Sequence, residues 1–199
     1  MMKTRQAKVL IVIVFMLGSF VNYANNNLDF NKTINAKKVK VAFTKAKKGH
    51  QLTLKNEKGD KLHSETVSRT GLLTKIFDLS SLNDGVYTIE LNKDYEIIVK
   101  TIEVKNNIVI SNEASKKVIL KPVFRNEENI LMISKINFHK KPMKIALYFD
   151  NEIIYSENLE SEEIFNRVYK LDEEIKGEYR AVLSINSRSY FYNFKLAPH

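Results

Sequence analysis

Leu82-Asn83-Asp84-Gly85-Val86-Tyr87 decides the fold, because the chain repeats this stretch in outline at Ile175-Lys176-Gly177-Glu178-Tyr179. The offset of 92 residues that aligns the two glycines also places Leu62-His63-Ser64-Glu65 on Ile154-Tyr155-Ser156-Glu157. After a shift of one residue, the alignment joins two more pairs of aliphatic residues: Leu52 with Ile145, and Leu54 with Leu147. Matches at so many separated positions predict a duplicated unit of about 90 residues, an ordinary domain size.

Alternating apolar and polar residues dominate both copies, which is the period of a half-buried strand. Turn-prone stretches such as Asn83-Asp84-Gly85 separate the alternating runs. The pattern predicts strands over residues 39–43, 52–54, 62–67, 73–79, 86–91 and 96–104 in the first copy, and over 118–124, 130–138, 143–149, 153–158, 164–171, 179–185 and 189–196 in the second. The sequence therefore predicts an all-β protein of two tandem immunoglobulin-like (fibronectin III-like) antiparallel β-sandwiches.

Two Gly-x-Tyr pairs mark the same place in each copy. Gly85 and Gly177 permit a sharp entry into the strand that follows. In many sandwiches, a tyrosine at this point hydrogen-bonds the backbone of the preceding crossover. We therefore predict that Gly85, Tyr87, Gly177 and Tyr179 form structural corners, and the alternative is a buried aromatic ring after a simple turn.

The first residues have the layout of a secretory signal peptide. Lys3, Arg5 and Lys8 precede an uninterrupted apolar run over residues 9–17, and the small residue Ala24 offers a cleavage position. The run is shorter than the roughly 20 apolar residues that span a bilayer. We predict an exported protein, periplasmic, secreted or on the cell surface, with no stable membrane span after cleavage. A retained anchor is the alternative.

The predicted organisation has five parts: signal peptide 1–24, flexible N-terminal segment 25–36, first sandwich 37–105, linker 106–117 and second sandwich 118–197. The chain has no cysteine, so its stability must come from packing alone. Small extracellular domains of eukaryotes usually carry disulfides, and their absence favours a bacterial envelope.

Four stretches carry a resemblance to a known group: Leu52-Thr53-Leu54-Lys55-Asn56-Glu57-Lys58-Gly59-Asp60, Phe77-Asp78-Leu79, Leu82-Asn83-Asp84-Gly85-Val86-Tyr87 and Ile102-Glu103-Val104. They resemble small exported immunoglobulin-like domains of Bacteroidota, which include periplasmic or secreted domains of unknown function. The sorting tails read by the type IX secretion system are similar in outline. The resemblance covers residues 37–196 and implies a seven-stranded sandwich. It also implies an alternative function, a secretion or anchoring module.

The net charge of +9 is concentrated in the first copy, where the sharpest charge feature is a lysine patch: Lys37, Lys38, Lys40, Lys45, Lys47 and Lys48. Such a patch can attract an anionic envelope component, a glycan or lipid headgroups. The alternative is that lysines on a first strand blunt an exposed sheet edge against aggregation. Export and the lack of interleaved aromatic residues argue against a nucleic-acid partner.

Aromatic residues gather in the second copy. In a strand, Tyr190, Tyr192 and Phe194 share one face and Phe191 points away from it. If exposed, Phe191 and Tyr155 form a candidate contact site for a partner protein or a glycan. The alternative is that these rings serve the core and cross-strand pairs.

Catalytic motifs are missing from the sequence, which has no Gly-x-Ser-x-Gly elbow, phosphate-binding glycine loop or His-Glu-x-x-His helix. Its four histidines stand apart: His50, His63, His139 and His199. The acidic pairs Glu162-Glu163 and Glu173-Glu174 are expected in solvated loops rather than in a calcium site. We predict a non-catalytic exported binding or structural module of the bacterial envelope, without metal or cofactor. An enzyme whose site forms only on folding is the third hypothesis.

Overall fold

Fifteen β-strands and no α-helix make up the computed structural model, which describes residues 37–111, 115–160 and 162–196. The predicted signal peptide (1–24) and the predicted N-terminal segment (25–36) lie outside the described residues. Within the described residues, no helix has the length and hydropathy needed to cross a membrane.

The first eight strands are β1 (Lys38–Ala46), β2 (Gln51–Lys55), β3 (Lys61–Thr66), β4 (Gly71–Asp78), β5 (Gly85–Asn92), β6 (Glu96–Lys105), β7 (Ile108–Ser111) and β8 (Lys117–Leu120). Strands β1 and β4 form one antiparallel sheet. The other sheet, which we call the first large sheet, has the order β3-β2-β5-β6-β7, and β8 also pairs with β6.

The remaining seven strands are β9 (Val123–Glu127), β10 (Ile130–Ile136), β11 (Met143–Phe149), β12 (Glu152–Leu159), β13 (Ile164–Lys170), β14 (Gly177–Ile185) and β15 (Arg188–Leu196). They form a three-stranded sheet, β13-β10-β9, and a four-stranded sheet, β12-β11-β14-β15. The first, second and fifth of the seven strands therefore share one sheet and the others share the second sheet. This order is immunoglobulin-like and of the fibronectin III kind, so the predicted all-β fold class is confirmed.

The sequence repeat is also a structural repeat. Strand β2 lies between β3 and β5, and β11 holds the same central position between β12 and β14. Leu52 and Ile145, which the repeat aligns, lie on these two strands and are fully buried. Each pair of sheets encloses its own hydrophobic core, the first containing Ile89 and the second Phe165. Both cores belong to one compact unit of the chain.

The sequence predicts one strand over residues 118–124, at the start of the second sandwich, and the structure shows that this prediction is wrong. Instead, β8 pairs with β6 of the first large sheet, and β9 pairs with β10. The chain stays on the first sheet through Lys121, whose backbone N–H donates to Tyr95 O at 2.8 Å. Pro122 follows, and because proline has no N–H to donate, the ladder ends there.

Much of the predicted linker (106–117) is also bound to the first large sheet. Asn106 and Asn107 have φ values of 49° and 65°, the left-handed conformation that a two-residue hairpin turn requires. The turn folds β7 back onto β6, where Val104 pairs with Val109. Since β5 occupies one edge of β6, strands β7 and β8 both cover its other edge.

The two Gly-x-Tyr pairs have the geometry of tyrosine corners. Tyr87 Oη donates to Asn83 O, and Tyr179 Oη donates to Ile175 O, each at 2.8 Å. The glycines differ in their surroundings. A Cβ at Gly177 would lie 2.7 Å from Cε2 of Phe149, whereas a Cβ at Gly85 would find nothing closer than 3.9 Å.

Gly177→Ala should therefore destabilise the protein more than Gly85→Ala. Both glycines have positive φ, 152° and 159°, so backbone strain is common to the two variants and is expected to cost about 1–2 kcal/mol. The clash with the Phe149 ring should add about 1–3 kcal/mol in Gly177→Ala alone. Urea unfolding measures both losses, and equal losses would show that the ring yields without cost.

Candidate functional site

A polar cleft lies where the first large sheet meets the β14–β15 turn, and we call it the inter-sandwich cleft. Its volume is about 810 Å³, within the usual range of ligand sites. Its charged lining residues are the cations Lys55, Lys61, Lys121 and Arg188 and the carboxylates Glu90 and Asp94. Four cations against two carboxylates leave a surplus of positive charge.

Glu90 is the central charged group of this cleft. It lies on β5 between Ile89 and Leu91, whose side chains enter the first core, so strand alternation turns Glu90 to the opposite face. Its side chain is nevertheless only 7% exposed. Lys55 Nζ donates to Glu90 Oε2 at 2.7 Å, and the Arg188 guanidinium donates to both carboxylate oxygens. Arg188 opens β15, so this ion pair joins the two sandwiches.

The charge state of Glu90 follows from these contacts. Burial alone would raise the pKa of Glu90, but the hydrogen bonds and charges of Arg188 and Lys55 outweigh burial and lower the pKa below its ordinary value. The hydrogen bond to Glu90 raises the pKa of Arg188. The carboxylate is therefore ionised at neutral pH and held by a cation from each sandwich.

Two consecutive aromatic residues line the cleft, Tyr190 and Phe191, although their side chains leave opposite faces of β15. Tyr190 Oη is buried and has no hydrogen-bond partner among the described residues. An unpaired buried hydroxyl costs about 1–3 kcal/mol, but because this oxygen is buried it is not a contact point for a ligand. Phe191 follows it on β15, lines the same cleft and is 64% exposed. The alternation predicted for β15, with Phe191 facing away from Tyr192 and the buried Phe194, is observed.

A second contact joins the two sandwiches. Lys135 on β10 is buried, and its Nζ donates to Leu120 O at the end of β8, at 2.6 Å. Burial lowers the pKa of Lys135, and its ammonium group also lies 5.7 Å from the centre of the Tyr190 ring. Since β8 belongs to the first large sheet, this bond holds the second sandwich against the first.

The lysine patch lies outside this cleft. Lys38 pairs with Asp78 at 3.5 Å and Lys47 with Asp94 at 3.1 Å, while Lys37 Nζ donates to Ser80 O at 3.2 Å. The other three members are exposed on β1 or in the turn after it: Lys40, Lys45 and Lys48. Among the described strands, β1 has β4 as its one neighbour in its sheet. Lysines on such an edge also suit the edge-blunting alternative.

The two candidate contact aromatics lie in different depressions. Tyr155 is 44% exposed and lines an apolar groove of about 470 Å³ between β12 and β13, where its ring centre lies 5.7 Å from that of Tyr169. Phe191 lines the inter-sandwich cleft. The structure therefore does not bring Tyr155 and Phe191 into one site.

The repeated glutamates link the two sheets within each sandwich. Glu65 on β3 accepts a hydrogen bond from Lys75 on β4 at 2.5 Å. Glu157, its counterpart on β12, accepts one from Tyr169 Oη on β13. The repeat therefore preserves a cross-sheet bond while the donor changes from lysine to tyrosine.

The histidines are scattered among the described residues. His50 Nδ1 accepts from Lys47 N at 3.0 Å, His63 Nε2 lies 3.2 Å from Glu65 Oε2, and His139 is exposed. His199 lies outside the described residues. Over the ranges 37–111, 115–160 and 162–196, no three histidines or carboxylates gather where they could hold a metal ion.

Comparisons with known proteins add the following. No family model matches the chain, and no curated protein matches it. Among solved structures, the chain is similar to the ligand-binding domain of human OSCAR, with 11% sequence identity and a TM-score of 0.23, over 78% of this chain and 86% of that one. A TM-score of this size carries no argument, so the fold class rests on the strand order described above.

Sequence reasoning missed the charged centre of the cleft. The strongest sequence signal for this charged centre is Glu90, a glutamate between the apolar residues Ile89 and Leu91. The repeat offers a second signal, because the offset of 92 places Glu90 on Val182 and Arg188 on Glu96. Groups that differ between the copies are not required by the fold.

Glu90 and Arg188 should be strongly coupled in a double-mutant cycle. Glu90→Gln leaves Arg188 and Lys55 without their shared counter-charge, and Arg188→Gln leaves the buried Glu90 with Lys55 alone, so each should lower the free energy of unfolding by about 3 kcal/mol. The double variant should lose clearly less than the sum. The exposed pair Lys195–Glu178, 3.6 Å apart, is the matched control and should show little coupling. Additive losses at Glu90 and Arg188, measured by urea unfolding, would contradict this assignment.

Acid should remove the contribution of Glu90. Because the pKa of Glu90 is lower in the folded than in the unfolded protein, its stabilising effect is complete above the ordinary value of 4.5 and is lost as the pH falls through the folded value. The difference in unfolding free energy between the wild type and Glu90→Gln should therefore shrink in acid. A difference that stays constant from neutral pH into that acid range would contradict the lowered pKa.

Proposed function

We propose that this chain is an exported, non-catalytic binding module of a bacterial envelope, and that the inter-sandwich cleft is its binding surface. The observation that carries the proposal is the lining of this cleft. It combines surplus positive charge, three lining serines (Ser64, Ser187 and Ser189) and the exposed ring of Phe191. Exposed apolar surface beside convergent polar groups is typical of a binding site.

The chemistry of the cleft favours binding over catalysis. Glu90 already accepts hydrogen bonds from Lys55 and Arg188, and its lowered pKa makes it a weak proton acceptor at neutral pH. No histidine is found among the described residues that line the cleft, so the serines there lack an adjacent base to activate them. These groups can hold a ligand in place but are poorly arranged to transform it.

The envelope location rests on the N-terminal sequence. Three cations before a short apolar run have the layout of a secretory signal, and a chain without cysteine needs no oxidative folding. The proposed location is the periplasm or the cell surface. An anionic envelope component suits the positive surplus of the cleft.

The test is a titration of the isotopically labelled protein, followed by amide NMR, with four defined probes: a neutral oligosaccharide, an acidic oligosaccharide, an acidic peptide and inorganic tripolyphosphate. At least one anionic probe should shift amide signals of the cleft, for example those of Lys61 and Ser187. Ser187→Trp, which fills the mouth of the cleft, should abolish these shifts. Ser156→Trp, on the exposed strand β12, is the control and should leave them unchanged. Shifts that survive Ser187→Trp, or no cleft shifts with any probe, would overturn the proposal.

A further inference from the structure

We infer that the ligand of the inter-sandwich cleft is an acidic saccharide, a sugar chain that carries carboxylates. The inference rests on the proposed function and names the ligand class for the same site. Three features of the cleft favour this ligand class. They are its surplus positive charge, the aromatic ring and the hydroxyl groups among its lining residues, and the different residues at the equivalent positions of the repeat.

The cations of the cleft divide into two pairs. Lys55 and Arg188 both form ion pairs with Glu90. Lys61 and Lys121 form no ion pair with any carboxylate of the described residues, and Lys61 is exposed at the start of β3. Lys121 donates to the backbone oxygen of Lys93, and its charge interacts with the nearby carboxylate of Asp94. The exposed ammonium group of Lys61 is thus available to a ligand carboxylate, within a cleft whose cations outnumber its carboxylates.

The other lining groups suit a sugar ring. Phe191 presents an exposed aromatic face, on which the apolar face of a ring can stack. Ser64, Ser187 and Ser189, which carry hydroxyl groups, line the same cleft. A saccharide combines an apolar ring face with a rim of hydroxyls, whereas a phosphate polymer has no such face. An acidic peptide has carboxylates but few hydroxyls.

The fold does not require these groups. The offset of 92 aligns Phe191 with Val99, Tyr190 with Ile98 and Lys61 with Ile153. Val99 is only 7% exposed, and Ile98 belongs to the first core. Val99 and Ile98 therefore serve the scaffold, whereas Ile153 is a 60% exposed aliphatic residue. The cleft carries an exposed ring, a phenol and a cation there instead.

The experiment is isothermal titration calorimetry at low salt with a linear oligomer of galacturonic acid. The oligomer should bind, and its methyl ester should bind at least about tenfold more weakly, because esterification removes the charge-assisted bonds to the lysines. Tripolyphosphate and an oligoglutamate peptide should also bind at least about tenfold more weakly, because neither offers a ring to stack.

Two variants with matched controls locate the binding. Phe191→Ala removes the stacking face and Lys61→Gln removes one cation, and each should weaken binding of the acidic oligomer about tenfold. Tyr155→Ala and Lys40→Gln change exposed residues of the same kinds outside the cleft and should leave it unchanged. Binding that responds to the controls and not to Phe191→Ala or Lys61→Gln would overturn the inference.

The probes also separate the two proposals. If tripolyphosphate or oligoglutamate binds in the cleft as tightly as the acidic oligomer, the saccharide inference is wrong and the binding function stands. If the methyl ester binds as tightly as the free acid, the role of the lysines is wrong. If none of the probes binds in the cleft, both the inference and the proposed function are overturned.

Discussion

A buried carboxylate, Glu90, constrains how the two sandwiches meet. An ionised group out of water is stable only when opposite charges and hydrogen bonds surround it. Lys55 supplies one donor from the neighbouring strand, and Arg188 supplies the others from a strand 98 residues further along the chain. The second sandwich must therefore place its β14–β15 turn against the outer face of the first large sheet. The walls of the cleft follow from this contact.

The connection between the sandwiches supports the same arrangement. Strands β7 and β8 lie along the free edge of β6, so the chain leaves the first sheet only at Pro122. Lys135 of the second sandwich then bonds back to Leu120. Few residues separate the last paired residue of β8 from the first paired residue of β9, so the connection between the sandwiches is short. The Glu90–Arg188 and Lys135–Leu120 contacts hold the sandwiches together on either side of it.

The sequence predicted the scaffold well because scaffold signals are local. Alternation gives the strands, and a glycine followed two residues later by a tyrosine marks each corner. The cleft depends on a long-range contact, and no local pattern connects Glu90 with Arg188. The lysine patch is a run of like charges in the sequence, yet in the structure Lys38 and Lys47 pair with Asp78 and Asp94. The prediction of a single strand over residues 118–124 was wrong for a similar reason. Their hydrophobic pattern indicates strands but does not show which sheet each strand joins.

The most direct test of this account is whether the two sandwiches tumble as one body. Residual dipolar couplings measured by NMR give an alignment tensor for each sandwich. If the Glu90–Arg188 contact sets the arrangement, the wild-type protein has one common tensor and Arg188→Gln has two different tensors, because Glu90 loses its partner across the cleft. Different tensors in the wild type, or a common tensor that persists in Arg188→Gln, would show that the Glu90–Arg188 contact does not set the arrangement.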